Sequence, residues 1–243
     1  MMSSYKPRLS AAVRHFWATR NRQSAKQGAV SGQRDTGARS AVTGGKQMDK
    51  FVELVRSLLI KAGLPKDSIH CNTRLELPGY FRAEKKWDLV VVAGGVLLAA
   101  IEFKSQVGPS FGNNFNNRTE EALGSATDIW TAFREGAFGT SQRPWLGYLM
   151  LLEDCPGSMN SVAVREPHFS VFPAFQDASY CRRYEILLTH CMRERLYDSA
   201  CFLVSEASSE KTGKFRYPSN DMTFDQFAAS FLGRAFTFLE ANK

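Results

Sequence analysis

Asp88, Glu102 and Lys104 are the residues of this chain whose types and spacing could do chemistry. Asp88 follows Trp87 at the head of a leucine- and valine-rich run over 87–92. Glu102-Phe103-Lys104 closes a second apolar run over 96–104, and Ala93-Gly94-Gly95 joins the two. Both runs read as strands closed by a glycine turn. Side chains alternate along a strand, so Glu102 and Lys104 share one face and Phe103 takes the other. Register decides whether Asp88 joins them. A two-residue Gly94-Gly95 loop sets Asp88 opposite Ile101 and facing away; a three-residue Ala93-Gly94-Gly95 loop sets it opposite Ala100, on the shared face. The three-residue turn, or an equivalent bulge, is the expectation.

Two carboxylates in or beside apolar strands are costly unless a cation compensates them. Oxygen ligands from Asp88 and Glu102 suit Mg²⁺, which keeps several waters and completes its shell with phosphate oxygens. Such an ion lowers the pKa of a bound water and neutralises charge on a phosphodiester, while Lys104 stabilises the charge of the transition state. The chemistry implied is metal-assisted phosphodiester hydrolysis. A plainer arrangement is a cross-strand Asp88–Lys104 ion pair with Glu102 at a solvated strand end, and the D-x13-E-x-K spacing alone does not separate the two.

The elements around the hairpin must hold it. Residues 9–19 mix apolar and basic side chains at helical spacing, and 20–47, rich in Gln, Ser, Gly, Ala and Arg, reads as a mobile arm. Asp49 opens a helix with Phe51, Val52, Leu54, Val55, Leu58 and Leu59 on one face, ending near Gly63 and Pro65. That helix offers Glu53 or Asp49 as a further metal-binding carboxylate, although a solvent-facing acid is the commoner role. Residues 69–77 read as a first strand, 105–117 as a polar loop, and 119–135 as a helix capped by Thr119. A strand over 145–152, a helix over 179–195, a strand over 200–204 and a helix over 223–239 complete a mixed sheet sandwiched by helices. The division expected is a basic helix and arm over 1–48 and a catalytic domain over 49–243.

Charge falls unevenly on the 243 residues. The first fifty carry ten Lys/Arg against two Asp/Glu, whereas the rest carry twenty-one against twenty-two. A basic arm on a neutral body suits a polyanion, because cations that neutralise phosphates release counterions. Five cysteines without a C-x-x-C pair fit reduced thiols, and the four histidines lack zinc-ligand spacing. No apolar run approaches a membrane span, so a cytoplasmic protein is expected.

Trp87-Asp88, Ile101-Glu102-Phe103-Lys104 and Pro144-Trp145-Leu146-Gly147-Tyr148 resemble the PD-(D/E)XK nuclease core. With Tyr180-Cys181-Arg182-Arg183-Tyr184-Glu185 and Asp198-Ser199-Ala200-Cys201-Phe202, the whole chain resembles the XhoI family of type II restriction endonucleases. Trp87 stands where the motif has proline. The resemblance implies an α/β restriction-endonuclease-like core with a mixed central sheet flanked by helices, and catalytic roles for Asp88, Glu102 and Lys104. It also implies a Mg²⁺-dependent homodimer that cuts double-stranded DNA at CTCGAG after the first C, leaving 5′ overhangs, with a cognate methyltransferase as functional partner. A two-fold site calls for a two-fold protein. Candidate base readers are Arg118 with Asn113, Asn114, Asn116 and Asn117, and Arg182 and Arg183, since Arg pairs with guanine and Asn with adenine in the major groove. A repair or junction nuclease of the same fold, and a DNA-binding protein without catalysis, are the other readings.

Overall fold

The computed structural model describes residues 5–31 and 46–242. Its main sheet runs β1 (Ile69–His70), β4 (Leu89–Ala93), β5 (Val96–Gln106), β6 (Trp145–Glu153), β7 (Ser199–Ser205). β1, β4 and β5 pair antiparallel, and β5, β6 and β7 pair parallel. Parallel neighbours need a crossover. α3 (Phe111–Arg134) supplies it between β5 and β6, and α4 (Tyr180–Arg193) between β6 and β7. This is the expected mixed sheet.

Helices cover both faces. On one side α1 (Lys6–Ser31), α2 (Asp49–Lys61) and α5 (Phe224–Ala241) bury Phe16, Trp17, Phe51, Val55, Phe224 and Phe227 against the sheet. On the other, α3 and α4 bury Ala126, Ile129, Tyr184 and Leu188. Strands covered on both faces have no solvent side to make polar, which is why β6 and β7 are apolar almost without alternation. α5 starts at a reciprocal cap: the Thr223 hydroxyl accepts the Gln226 N–H, and the Gln226 side chain accepts the Thr223 N–H.

Three expectations change. The first helix extends well past residues 9–19, and its face of Leu9, Ala12, Val13, Phe16 and Trp17 is buried in the core. Residues 20–31 of the expected arm are therefore helical, while 32–45 lie outside the described residues. The strand expected over 69–77 is broken: Ile69–His70 pairs with β4, whereas β2 (Glu76–Pro78) pairs with β3 (Glu84–Lys86) in a separate two-stranded sheet. The polar loop expected over 105–117 ends early because α3 begins at Phe111, which the Gln106 side chain holds by donating to its carbonyl at 2.9 Å. No helix among the described residues is long and apolar enough to cross a membrane.

Candidate active site

The β4–β5 hairpin turns on Gly94-Gly95 alone, both at positive φ (57° and 77°), the hand a two-residue hairpin loop favours. The turn is thus two residues rather than the three expected. Ala93 faces Val96 and Val92 faces Leu97; then the pairing shifts by one, so that Val91 faces Ala99 and Leu89 faces Ile101. Leu98 is the extra residue of a β-bulge. The same register carried one residue further sets Asp88 opposite Glu102, not Ala100. This is the bulge expected as the equivalent of a longer turn.

At that point the ladder passes to a side chain: Asp88 Oδ2 accepts the Phe103 N–H at 2.8 Å. Lys104 Nζ lies 2.6 Å from Glu102 Oε2 and 3.7 Å from Asp88 Oδ2. All three expected residues converge. Glu102 is 2% exposed, and burial alone would raise its pKa, but Lys104 and Lys85 more than offset this and leave it lowered. Asp88 goes the other way, raised to about 6 by burial and then by the Glu102 charge, against Lys104 and the Phe103 amide. Because 39% of its side chain stays accessible, water tempers the size of this rise.

Lys85 was not anticipated. It comes from β3, paired opposite Leu77, and its ammonium donates to Glu102 Oε1 while lying 4.6 Å from the centre of the Trp87 ring. The β2–β3 connection is tied to α3: Asp128, buried, accepts the Tyr80 and Phe81 N–H groups at 2.8 Å each and pairs with Arg82 at 2.8 Å. Gly79 permits this approach, since a Cβ there would stand 2.5 Å from Asp128 Oδ2. The only sequence signal for Lys85 was Pro78-Gly79 ahead of a charged run, which reads equally as a loop. Tyr148, opposite Glu102 on β6, also adjoins the site; its buried hydroxyl has no partner among the described residues.

A cleft of about 1060 Å³ opens on Asp88 and Lys104, with Asp49, Glu53, Arg56 and Arg118 among its walls. Glu53 sits there paired with Lys50 at 2.7 Å, its side chain 63% exposed. No group of three His, Cys, Asp or Glu side chains among the described residues is placed to hold a metal ion, so Glu53 and Asp49 share the cleft with Asp88 without forming such a group with it. That pair nevertheless fits a divalent cation. Glu102 Oε2 is buried without a well-aligned hydrogen bond, a second carboxylate stands beside it, and two carboxylates with waters and phosphate oxygens make an ordinary Mg²⁺ shell.

The expected base readers scatter. Asn113, Asn114, Asn116 and Asn117 lie on the first turns of α3, not in a loop, with Asn117 exposed. Arg118 lines the cleft and pairs with Glu121. Arg182 is exposed and paired with Glu185 at 2.7 Å. Arg183 is committed internally, donating to the Ala178 and Val162 carbonyls at 3.1 Å each beside the Tyr180 ring.

Comparison with known proteins gives the same picture. The family model described as "Restriction endonuclease XhoI" matches residues 26–217. The type II restriction enzyme BstVI of Geobacillus stearothermophilus is 54% identical over 204 residues, 82% of this chain and 91% of that relative. The type II restriction enzyme XhoI of Xanthomonas vasicola is 51% identical over 153 residues, 62% of each chain. AbrI of Azospirillum brasilense is 50% identical over 169 residues, 69% of this chain and 75% of its own length. No solved structure matches significantly.

Proposed function

Because the chain belongs to the XhoI restriction endonuclease family, and is therefore a type II site-specific endonuclease, we propose that it cuts double-stranded DNA at CTCGAG after the first C, with Mg²⁺. The observation that carries the chemistry is the bulged register that sets Asp88 across from Glu102, with Lys104 reaching both.

Asp88 and Glu102 would hold the divalent ion. When bound, that ion neutralises charge on the scissile phosphate and makes a bound water a stronger nucleophile. Lys104, fixed by Glu102 at 2.6 Å, presents its ammonium at the cleft, where it donates to a phosphate oxygen as charge builds in the transition state. Lys104 is held protonated: burial lowers its pKa, but Glu102 and Asp88 raise it further. It is thus a donor and electrostatic stabiliser rather than a base. Arg118 on the cleft wall suits a phosphate or base contact, with exposed Asn117 beside it on α3.

The six-base palindrome has two-fold symmetry, so the working unit is a homodimer with one active site per strand. The cell that makes it needs a methyltransferase of the same specificity to protect its own DNA, and both enzymes act in the cytoplasm, where that DNA lies.

A plasmid with one CTCGAG tests this. With Mg²⁺ it is linearised, and end mapping places the nick after the first C on each strand; Ca²⁺, chelator or Asp88→Ala abolishes cutting. Cleavage only of branched or damaged DNA would replace the reading with a structure-selective nuclease, and binding without cleavage by either protein would remove catalysis at this site.

A further inference from the structure

We propose that Lys85 is a built-in counter-ion of Glu102 that gives way when a divalent cation is held, so that lysine and metal compete for one carboxylate. The inference rests on the metal-binding reading of Asp88 and Glu102.

Glu102 is 2% exposed and in this structure carries two ammonium groups, Lys85 on Oε1 and Lys104 near Oε2. A carboxylate so buried needs a cation at all times. Adding a doubly charged ion beside both lysines leaves the pocket with surplus positive charge, and like charges at this range repel strongly in a poorly solvated site. One ammonium must withdraw.

The geometry singles out Lys85. Lys104 is on β5 itself and reaches both carboxylates, whereas Lys85 reaches Glu102 but not Asp88, its ammonium otherwise held only by the Lys86 carbonyl at 3.2 Å and the Trp87 ring, and it comes from the separate β2–β3 sheet. It also has somewhere to go. Beside Glu102 is a cavity of about 240 Å³ whose walls include Lys85, Glu121, Ser125 and Tyr148. The Tyr148 hydroxyl is buried and has no hydrogen-bond partner among the described residues, so it is free to accept an arriving ammonium, with the Glu121 carboxylate, already paired with Arg118, on the same wall. Lys85 therefore stabilises the ion-free protein and weakens its hold on the ion, and Tyr148 eases the exchange.

Calorimetric titration of the DNA-free protein with Ca²⁺, together with thermal melting in chelator, tests this. Lys85→Met should bind Ca²⁺ at least about fivefold more tightly, the low end of ordinary coupling between sites. It should melt below wild type in chelator and recover the difference with Ca²⁺. A purely structural lysine would lower melting in both conditions without tightening the ion, and equal or weaker Ca²⁺ binding overturns the proposal. If Lys85→Met does not fold, Tyr148→Phe decides: weaker Ca²⁺ binding with unchanged melting in chelator supports the exchange, and unchanged binding overturns it. Asp88→Ala separates the layers. Binding lost there but unchanged in Lys85→Met removes only the role of Lys85; binding retained in Asp88→Ala removes the site and this proposal together.

Discussion

Asp88 accepts the main-chain N–H of Phe103 through Oδ2, so one oxygen of this carboxylate completes the sheet while the group as a whole faces the cleft. The two tasks respond differently to substitution. Asp88→Asn keeps an acceptor for the amide and loses the charge, whereas Asp88→Ala loses both. Cleavage should fall about a hundredfold or more in each, the size expected when a group aimed at transition-state charge is removed. Only the alanine variant should also lower stability, by about 1 kcal/mol for an unpaired strand amide. Single-turnover cleavage and urea denaturation, run side by side, distinguish the losses.

The same residue makes stability depend on pH in a stated direction. Its folded-state pKa, about 6, lies above the ordinary 3.8, so the folded protein holds the extra proton between those values. Its contribution favours folding below about pH 4 and is lost as pH rises through about 6. In chelator at pH 7.5, Asp88→Asn should therefore melt above wild type, and the difference should vanish near pH 4. With 39% of the side chain accessible, water reduces the size of the effect but not its sign. Added Ca²⁺ should reverse the order by stabilising wild type alone. Melting curves at several pH values, with and without Ca²⁺, check both halves, and a wild-type advantage in chelator at pH 7.5 contradicts them.

The meeting of Glu102 and Lys104 was legible because strand alternation fixes them on one face whatever surrounds them. The register that brings Asp88 to them was only half legible. A bulge at Leu98 depends on how β5 meets its neighbours and leaves no mark in composition. Lys85 was illegible for a related reason: it reaches Glu102 from 17 residues away through a second small sheet that α3 holds by Asp128. The asparagines at 113–117 misled in the opposite sense. Their local preference is for turns, yet tertiary contacts at Phe111 start α3 before them. The order of elements along the chain followed from apolar runs of strand length alternating with helical ones.

The turn at Gly94-Gly95 separates folding from chemistry. Nothing lies within 4 Å of a Cβ built on either residue, so Gly95→Ala meets no clash and suffers only from its φ of 77°. The penalty should be about 1 to 2 kcal/mol, seen as a lower urea midpoint, with DNA cleavage unchanged. Gly79→Ala should lower the urea midpoint further, because its Cβ would strike Asp128 Oδ2 and the Arg82 carbonyl and loosen the β2–β3 connection.

Arg118 and Arg183 were alike in sequence as candidate base readers, and the structure parts them. Arg118 lines the cleft with a single carboxylate partner, Glu121, whereas Arg183 spends its guanidinium on two main-chain carbonyls and the Tyr180 ring. Arg118→Ala should weaken DNA binding and, if it meets a phosphate, reduce the slope of log K against log salt by about 1. If it meets a base instead, one position of the site should relax by about 1 to 3 kcal/mol with the slope nearly unchanged. Arg183→Ala should leave affinity, slope and site preference as they are and lower stability by about 1 to 3 kcal/mol, since two carbonyls lose their donor. Fluorescence anisotropy on the target and single-base variants at three salt concentrations, with urea melts in parallel, reads all of these; relaxed specificity in Arg183→Ala would mean that α4 reaches the DNA after all.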